Sequence, residues 1–166
     1  MLNKKNNIIL IIIFFIILLS LISALTIEYV LDHRPCSLCL YERIPYFLSA
    51  LLIIKIFFFK KYEKITLFIL FLVFMTSSLL AFYHFGIEQG FFSESFVCNV
   101  GNQVQILSKE QLLKELNQNV VSCKDVTFRI LGLSLADINT ILSVVLSIIF
   151  LILFFNYGSN STSQYK

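Results

Sequence analysis

The sequence predicts an all-α membrane protein, a four-transmembrane-helix bundle with a short extracytoplasmic loop and a long one carrying a small amphipathic helix. Composition is the first reason: 58% of the 166 residues are hydrophobic and only 14% are charged, whereas about a quarter of the residues in a soluble domain are charged. The second reason is that the apolar residues come in blocks. Blocks of about 20 apolar residues span a bilayer, and so few segments can do so only as helices.

The four apolar blocks predict a single integral-membrane domain over residues 1–157. The second block is short and needs the turn before it to complete a span. A polar tail rich in Ser and Asn, 158–166, follows and is expected to be disordered and cytoplasmic. The predicted spans are about 8–30, 44–59, 65–85 and 135–155, and the long loop is 86–134.

The first block resembles a secretory signal peptide, because Lys4 and Lys5 precede it. Its apolar run, from Ile8 to about Val30, is too long for the hydrophobic region of a typical signal peptide, and no A-x-A cleavage site follows it. We therefore expect a retained membrane anchor.

The distribution of lysines predicts the orientation of the bundle. Short cytoplasmic loops are enriched in Lys and Arg, and lysines occur before the first block and in the short loop 60–64. Both chain termini are therefore expected in the cytoplasm, and both cysteine-bearing loops outside it. The basic residues form no stripe with interleaved aromatics, so a nucleic-acid partner is not expected.

The long loop contains one further helix signal. The stretch Ser108–Gln111 matches a capping box, and an apolar face follows at Leu112, Leu113, Leu116 and Val120. This pattern predicts a short amphipathic helix, which lies on the membrane surface or packs on the rest of the loop.

The cysteines carry the chemistry of this chain. Cys36 and Cys39 form a CxxC motif at the start of a helix, where the helix amides favour the reactive thiolate. Arg43 follows Cys39 by one turn and shares its face. A guanidinium there would lower the pKa of that thiol and offer donors to an electron-poor ring. This arrangement suits the transfer of two electrons from Cys39 to a lipid-borne acceptor, for which a membrane quinone is the plausible choice.

Other uses of the thiols are less well supported by the sequence. Leu40 follows Cys39, which excludes the CxxCH pattern of haem attachment. A four-thiolate zinc site needs two close pairs, and Cys98 and Cys123 are far apart in the sequence, so no metal is expected. A static structural disulfide between Cys98 and Cys123 stays open. A static role suits the CxxC pair poorly, because its tight ring contributes little loop entropy.

The motifs resemble the disulfide bond formation protein B (DsbB) family of bacterial inner-membrane oxidoreductases. The resemblance extends from Pro35 to about Asn139 and is strongest at Pro-Cys-Ser-Leu-Cys-Leu-Tyr-Glu-Arg, residues 35–43, which is similar to the family's CxxCxxER stretch. Further similar segments are Tyr83-His84, Glu88-Gln89-Gly90 and the stretch from Phe128 to Ser134. In bacteria this family works with DsbA and quinone to keep the periplasm oxidising.

The resemblance implies an electron relay. The disulfide Cys98–Cys123 would oxidise a soluble thioredoxin-fold partner similar to DsbA, with Cys98 forming the mixed disulfide. Cys123 would then exchange with Cys36, leaving Cys39 as the thiolate that faces ubiquinone or menaquinone. Arg43 would hold and polarise the quinone.

The resemblance also implies a location and further contacts. The protein would be a multi-pass protein of the bacterial inner membrane, with its cysteine loops in the periplasm. His84, Glu88 and Gln89 would lie near the quinone pocket, although His84 could equally belong to an interfacial aromatic belt.

Two other functions compete with this interpretation. A non-enzymatic four-span scaffold could use a disulfide-stapled outer loop as a binding surface. A thiol oxidoreductase similar to vitamin K epoxide reductase is the second, but that family has its CxxC at a late span, whereas here the motif lies at the start of the second span.

Overall fold

The computed structural model describes residues 4–59, 62–93, 98, 123–124, 129–130 and 132–162. Within these ranges the chain forms four long helices. They are α1 (Lys4–Tyr29), α2 (Ser37–Phe58), α3 (Glu63–Glu88) and α4 (Leu135–Thr162). Each is long and apolar enough to cross a membrane, so the predicted all-α four-helix membrane bundle is confirmed.

The helices pack around one apolar core, and α3 and α4 share the most extensive interface. On α1 the buried apolar positions are Leu10, Ile13, Ile17 and Leu21, whose spacing of three and four residues marks one helical face. Many large apolar side chains on the opposite faces are exposed. Such a surface is expected where the surrounding medium is lipid rather than water.

The second helix begins earlier than the expected span of about 44–59. It starts at Ser37, and Cys36 is its N-cap residue. The charges of Glu42 and Arg43 made this stretch resemble a loop in the sequence, but Arg43 makes an ion pair with Glu28 of α1, and Glu42 contacts His84 of α3. Paired charges can be accommodated in a helix that crosses a membrane, so the CxxC motif belongs to the first turn of α2.

The last helix extends beyond its expected end. Its backbone stays helical to Thr162, whereas the polar tail 158–166 was expected to be disordered. No proline interrupts the segment, and a single glycine in a helix costs only about 1 kcal/mol relative to alanine. Polar composition alone therefore does not end α4 at Tyr157.

The start of α4 is fixed by a short hairpin and a cap. The strands β1 (Arg129–Ile130) and β2 (Leu133–Ser134) pair antiparallel. Between them Gly132 has a φ of +87°, a conformation that glycine adopts without strain. The Ser134 amide donates to Asp137 Oδ2 over 2.8 Å, and the Asp137 amide donates to Ser134 Oγ over 3.1 Å. This reciprocal cap sets the first turn of α4.

Three sequence predictions concern residues outside the described ranges. They are the capping box at 108–111 with its amphipathic helix, Lys60 and Lys61 of the short loop, and the last four residues of the polar tail, 163–166.

The aromatic centre of the bundle gives a testable prediction. Phe74 is fully buried and stacks on Phe150, with ring centroids 5.5 Å apart, and meets Tyr46 edge-on at 5.6 Å. Phe74→Ala should lower the free energy of unfolding by about 2 kcal/mol. This is less than in a soluble core, because the separated helices stay in lipid and only packing is lost.

Unfolding in mixed detergent micelles measures this effect, and Phe82→Ala is the matched control. Phe82 lies on the same helix but is 53% exposed, so its removal should change stability little. Equal losses for the two variants would contradict the assigned core.

Candidate redox site

The CxxC pair lies at the first turn of α2. The Cys39 amide donates to Cys36 Sγ over 3.3 Å, so the Cys36 sulfur caps the helix, and the two sulfurs are 2.8 Å apart. Both are free thiols. Cys36 is buried and Cys39 is half-buried. The pair can therefore close to a disulfide with little movement.

A histidine from another helix contacts the first of these sulfurs. His84 of α3 is buried, and its Nε2 lies 3.4 Å from Cys36 Sγ. Its other nitrogen, Nδ1, lies 2.8 Å from Glu42 Oε1. An ionised carboxylate only accepts hydrogen bonds, so Nδ1 is the donor in this pair. Asn139 Nδ2 donates to the second oxygen of Glu42 over 2.6 Å, and this fixes the carboxylate from the α4 side.

A chain of hydrogen bonds continues from this group into the bundle. The Tyr46 hydroxyl donates to Asn139 Oδ1 over 2.5 Å and lies 3.3 Å from Ser143 Oγ. Ser143 in turn lies 3.3 Å from Ser77 Oγ. These residues come from α2, α3 and α4, so this series of hydrogen bonds joins three helices further along the bundle from the CxxC pair.

The surroundings of Cys36 favour its thiolate form. The pKa of Cys36 is lowered from 9.0 to about 5, first by the hydrogen bond from Cys39, with further contributions from the hydrogen bond and the positive charge of His84. Burial of Cys36 opposes this change. A stabilised thiolate favours the reduced pair, which makes the corresponding disulfide a stronger oxidant.

The second cysteine pair is a disulfide, and it lies against the first. Cys98 and Cys123 are bonded, with Cα atoms 5.7 Å apart, and both are buried. They belong to one cluster of buried residues with Cys36, against which Cys39 also packs; its other members are Leu38, Ile87, Leu80 and Tyr83. The fold thus brings together all four cysteines, although the second pair is remote from the first in the sequence.

Arg43 lies one turn after Cys39, as the spacing predicted, and makes an ion pair with Glu28 of α1. The side chains of Arg43 and Glu28 are 16% and 21% exposed. From its place one turn after Cys39, Arg43 was expected to lower the pKa of the Cys39 thiol and to offer donors to a quinone, and both roles stay predictions. The side chain in contact with Cys36 is His84 of α3.

The other predicted residues near the pocket lie at the end of α3. Gln89 is the C-cap residue of α3 and is exposed. Its backbone N–H donates to the Phe85 carbonyl over 3.0 Å. Glu88 Oε1 lies 3.7 Å from His84 Nε2. The other oxygen of Glu88 is buried without a hydrogen-bond partner among the described residues.

Three site residues were not assigned a role from the sequence: Glu28, Glu42 and Asn139. A signal was nevertheless present, because each is a polar residue within or at the end of an apolar block. Polar side chains in membrane segments are rare, and they face the bundle interior and pair with one another.

The site can be compared with the needs of a metal ion. Cys36, Cys39 and His84 place one ligand atom each within 4.8 Å of the others. Two sulfurs bound to tetrahedral zinc at about 2.3 Å must lie about 3.8 Å apart, whereas these lie 2.8 Å apart. The geometry therefore fits a dithiol better than a zinc site.

The residues also fit a quinone head group on chemical grounds. A quinone needs hydrogen-bond donors for its carbonyl oxygens and an apolar surface open to lipid. The Arg43 guanidinium has five N–H donors, and on the same side of α2 the exposed apolar residues are Leu40, Ile44 and Phe47.

Comparison with known proteins identifies the family of this chain. A model of the family described as "Disulfide bond formation protein DsbB" matches residues 6–153. A protein of Rickettsia prowazekii (strain Madrid E), named "Uncharacterized protein RP370", is 28% identical over 144 residues, which cover 86% of this chain and 84% of that protein. No solved structure matches. The four-helix bundle, the CxxC pair at the start of its second helix and the extent of the family match together show that this chain belongs to the DsbB family of disulfide bond formation proteins.

Proposed function

We propose that this protein is a quinone-dependent thiol:disulfide oxidoreductase that reoxidises a thioredoxin-fold partner similar to DsbA. Membership of the family makes it a disulfide bond formation oxidoreductase of the membrane. The observation that carries the finer proposal is the shared cluster of the two cysteine pairs, one a disulfide and the other a free dithiol. Two adjacent pairs are what a relay of electrons between sulfurs needs.

The relay begins with the partner. Two electrons pass from the partner's dithiol to Cys98–Cys123, with Cys98 forming the mixed disulfide, so that the partner leaves oxidised and both cysteines become thiols. Cys123 then attacks Cys36 of an oxidised CxxC pair, and Cys39 leaves as a thiolate. Attack of Cys98 on Cys123 restores the loop disulfide and releases Cys36. The lowered pKa of Cys36 makes it a good leaving group in this last step.

The electrons then leave through the lipid-facing side of α2. A membrane quinone, ubiquinone or menaquinone, would supply a sink for two electrons and two protons. Arg43 would hold a carbonyl oxygen there beside Cys39, with the exposed apolar residues of α2 along the ring. The assignment of His84 and Gln89 to the quinone pocket stays a prediction.

The proposed location is the bacterial inner membrane, with the cysteine loops in the periplasm and both termini in the cytoplasm. The lysines that precede the first span and follow the second support this orientation. The Cys98–Cys123 disulfide agrees with it, because disulfides persist outside the cytoplasm.

The central test is anaerobic reduction of a soluble quinone analogue by the purified protein with a reduced thioredoxin-fold partner. The wild-type protein should turn over, and Cys39→Ser should lower the rate to background, because the CxxC disulfide cannot form without the second sulfur. Turnover by Cys39→Ser would refute the relay. A static scaffold, the competing function, would keep its cysteines in one redox state when the quinone is withdrawn.

Arg43→Ala tests the proposed quinone contact. Loss of a charge-assisted hydrogen bond removes about 1.5–3 kcal/mol, so the KM for quinone should rise about tenfold or more. The rate of thiol exchange with the partner should stay unchanged, because no sulfur is lost. Steady-state kinetics with varied quinone measure both quantities.

Arg34→Ala is the matched control for Arg43→Ala. Arg34 is an exposed arginine in the loop before α2, so its removal should leave the KM for quinone at the wild-type value. An unchanged KM in Arg43→Ala would remove that residue from the site.

Cys98→Ala tests the order of the relay. Oxidation of the partner should stop, while quinone should still oxidise the Cys36–Cys39 dithiol in a single turnover, because that pair is intact. Thiol trapping followed by mass spectrometry measures the redox state of each cysteine. Normal turnover of the partner by this variant would show that electrons enter elsewhere.

A further inference from the structure

His84 contacts the sulfur of Cys36, and this contact indicates how the thiol gains and loses its proton. The inference rests on the proposed function. We propose that His84 is the catalytic acid–base group of Cys36, taking and returning the proton of this thiol, and that Glu42 is the positioning residue that holds the imidazole. The nucleophile, Cys36, is the N-cap of α2, the base, His84, lies on α3, and the orienting carboxylate of Glu42 lies on α2. An activated cysteine next to a base that a third group orients is an established arrangement for sulfur chemistry.

The geometry determines which nitrogen of His84 exchanges a proton with Cys36. Nδ1 is the donor to Glu42 Oε1 at 2.8 Å, so in the neutral imidazole Nε2 presents its lone pair. That lone pair faces Cys36 Sγ, 3.4 Å away. The Asn139 amide holds the other oxygen of Glu42 at 2.6 Å, so the carboxylate cannot turn away without losing a second bond. Nε2 is thereby directed at the sulfur of the free thiol pair that the structure shows.

Burial makes this contact more effective. His84 is 2% exposed and Glu42 is 7% exposed, so little water competes for either group. An imidazolium in such a place needs a counter-charge, and Glu42 supplies it. When the proton moves from Cys36 to His84, the thiolate, the imidazolium and the carboxylate lie side by side with alternating charge.

The proton balance of the reaction gives this group a task. When the Cys36–Cys39 disulfide forms, two thiols lose two electrons and two protons, and the quinone gains both and leaves as quinol. His84 Nε2 takes the proton of Cys36 before the S–S bond forms and releases it once the bond is made, while Cys39 gives up the second proton, so that two protons accompany the two electrons that leave. When exchange with the loop cysteines releases Cys36 as a thiolate, His84 can return a proton to the Cys36 sulfur.

Several charged or titratable groups surround His84 and shape its response to pH. From α2 and its cap these are Glu42, Cys36 and Cys39, and from α3 the neighbour is Glu88, 3.7 Å from Nε2. From α4, the Asp137 carboxylate interacts electrostatically with Glu88, and the Asn139 side-chain amide donates to Glu42. His84→Gln removes a group that can be positive and leaves the acidic groups in place, so it should disfavour the Cys36 thiolate.

The test measures the pH dependence of Cys36 alkylation in the full-length protein with the Cys36–Cys39 pair reduced and the Cys98–Cys123 disulfide kept, with each cysteine resolved by mass spectrometry. In the wild-type protein the thiolate should titrate with a midpoint near the Cys36 pKa of about 5. His84→Gln should raise that midpoint by about one pH unit or more, since a nearby opposite charge accounts for shifts of this size. The kcat for quinone reduction should fall about 100-fold, the usual loss when an acid–base group is removed.

Two variants serve as matched comparisons. Glu42→Gln keeps an oxygen that can accept from Nδ1 but removes the counter-charge, so it should raise the midpoint in the same direction and by less. His33→Gln replaces the other histidine of the chain, in the loop before α2, and should change neither quantity. Helical content by circular dichroism and an intact Cys98–Cys123 disulfide show that a variant is folded; if His84→Gln fails this check, Glu42→Gln alone decides.

An unchanged alkylation midpoint in a folded His84→Gln variant overturns the proposal, even if kcat falls, because His84 would then act on the quinone or on the fold alone. A raised midpoint supports it. The alkylation uses neither quinone nor partner. A wild-type protein that fails to reduce quinone would therefore count against the proposed function and leave this measurement to judge His84 separately.

Discussion

The contact between Glu42 and His84 is the interaction on which the site depends. Its members come from α2 and α3, and Asn139 attaches it to α4. Helices in lipid gain little from burying apolar surface against one another, so polar contacts of this kind contribute to the choice of partner and rotation. The same contact that aligns three helices also aims His84 at Cys36. Structure and chemistry are therefore set by one group of side chains.

The two cysteine pairs have different surroundings, and the difference agrees with a direction of electron flow. Cys36 lies at a helix start beside His84, where its thiolate is stabilised. A pair with a stabilised thiolate is held more readily as the dithiol and draws electrons from a neighbouring pair. Cys98 and Cys123 are present as the disulfide. Electrons would thus tend to collect at the CxxC pair, on the helix that has an exposed apolar side.

Much of this was accessible from the sequence. Block hydrophobicity predicted four spanning helices, and the CxxC spacing predicted a reactive pair at a helix start, because both depend on local pattern. The contact between Cys36 and His84 was not accessible, since the two residues are 48 positions apart and periodicity does not fix how one helix is rotated against another. The spanning part of α2 was expected to begin only at about residue 44 because Glu42 and Arg43 are charged, and their partners on other helices are invisible in a local window. Whether Arg43 and Gln89 contact quinone stays a prediction.

The pairing of Arg43 with Glu28 has a consequence for the first helix. The core contacts of α1 run from Leu10 to Leu21, and Glu28, near the opposite terminus, meets α2 through this guanidinium. A carbonyl that accepted from Arg43 Nη1, the group bonded to Glu28, would compete with that carboxylate. Loss of that bond would free the C-terminal end of α1 from α2, while the core contacts of the helix stay packed.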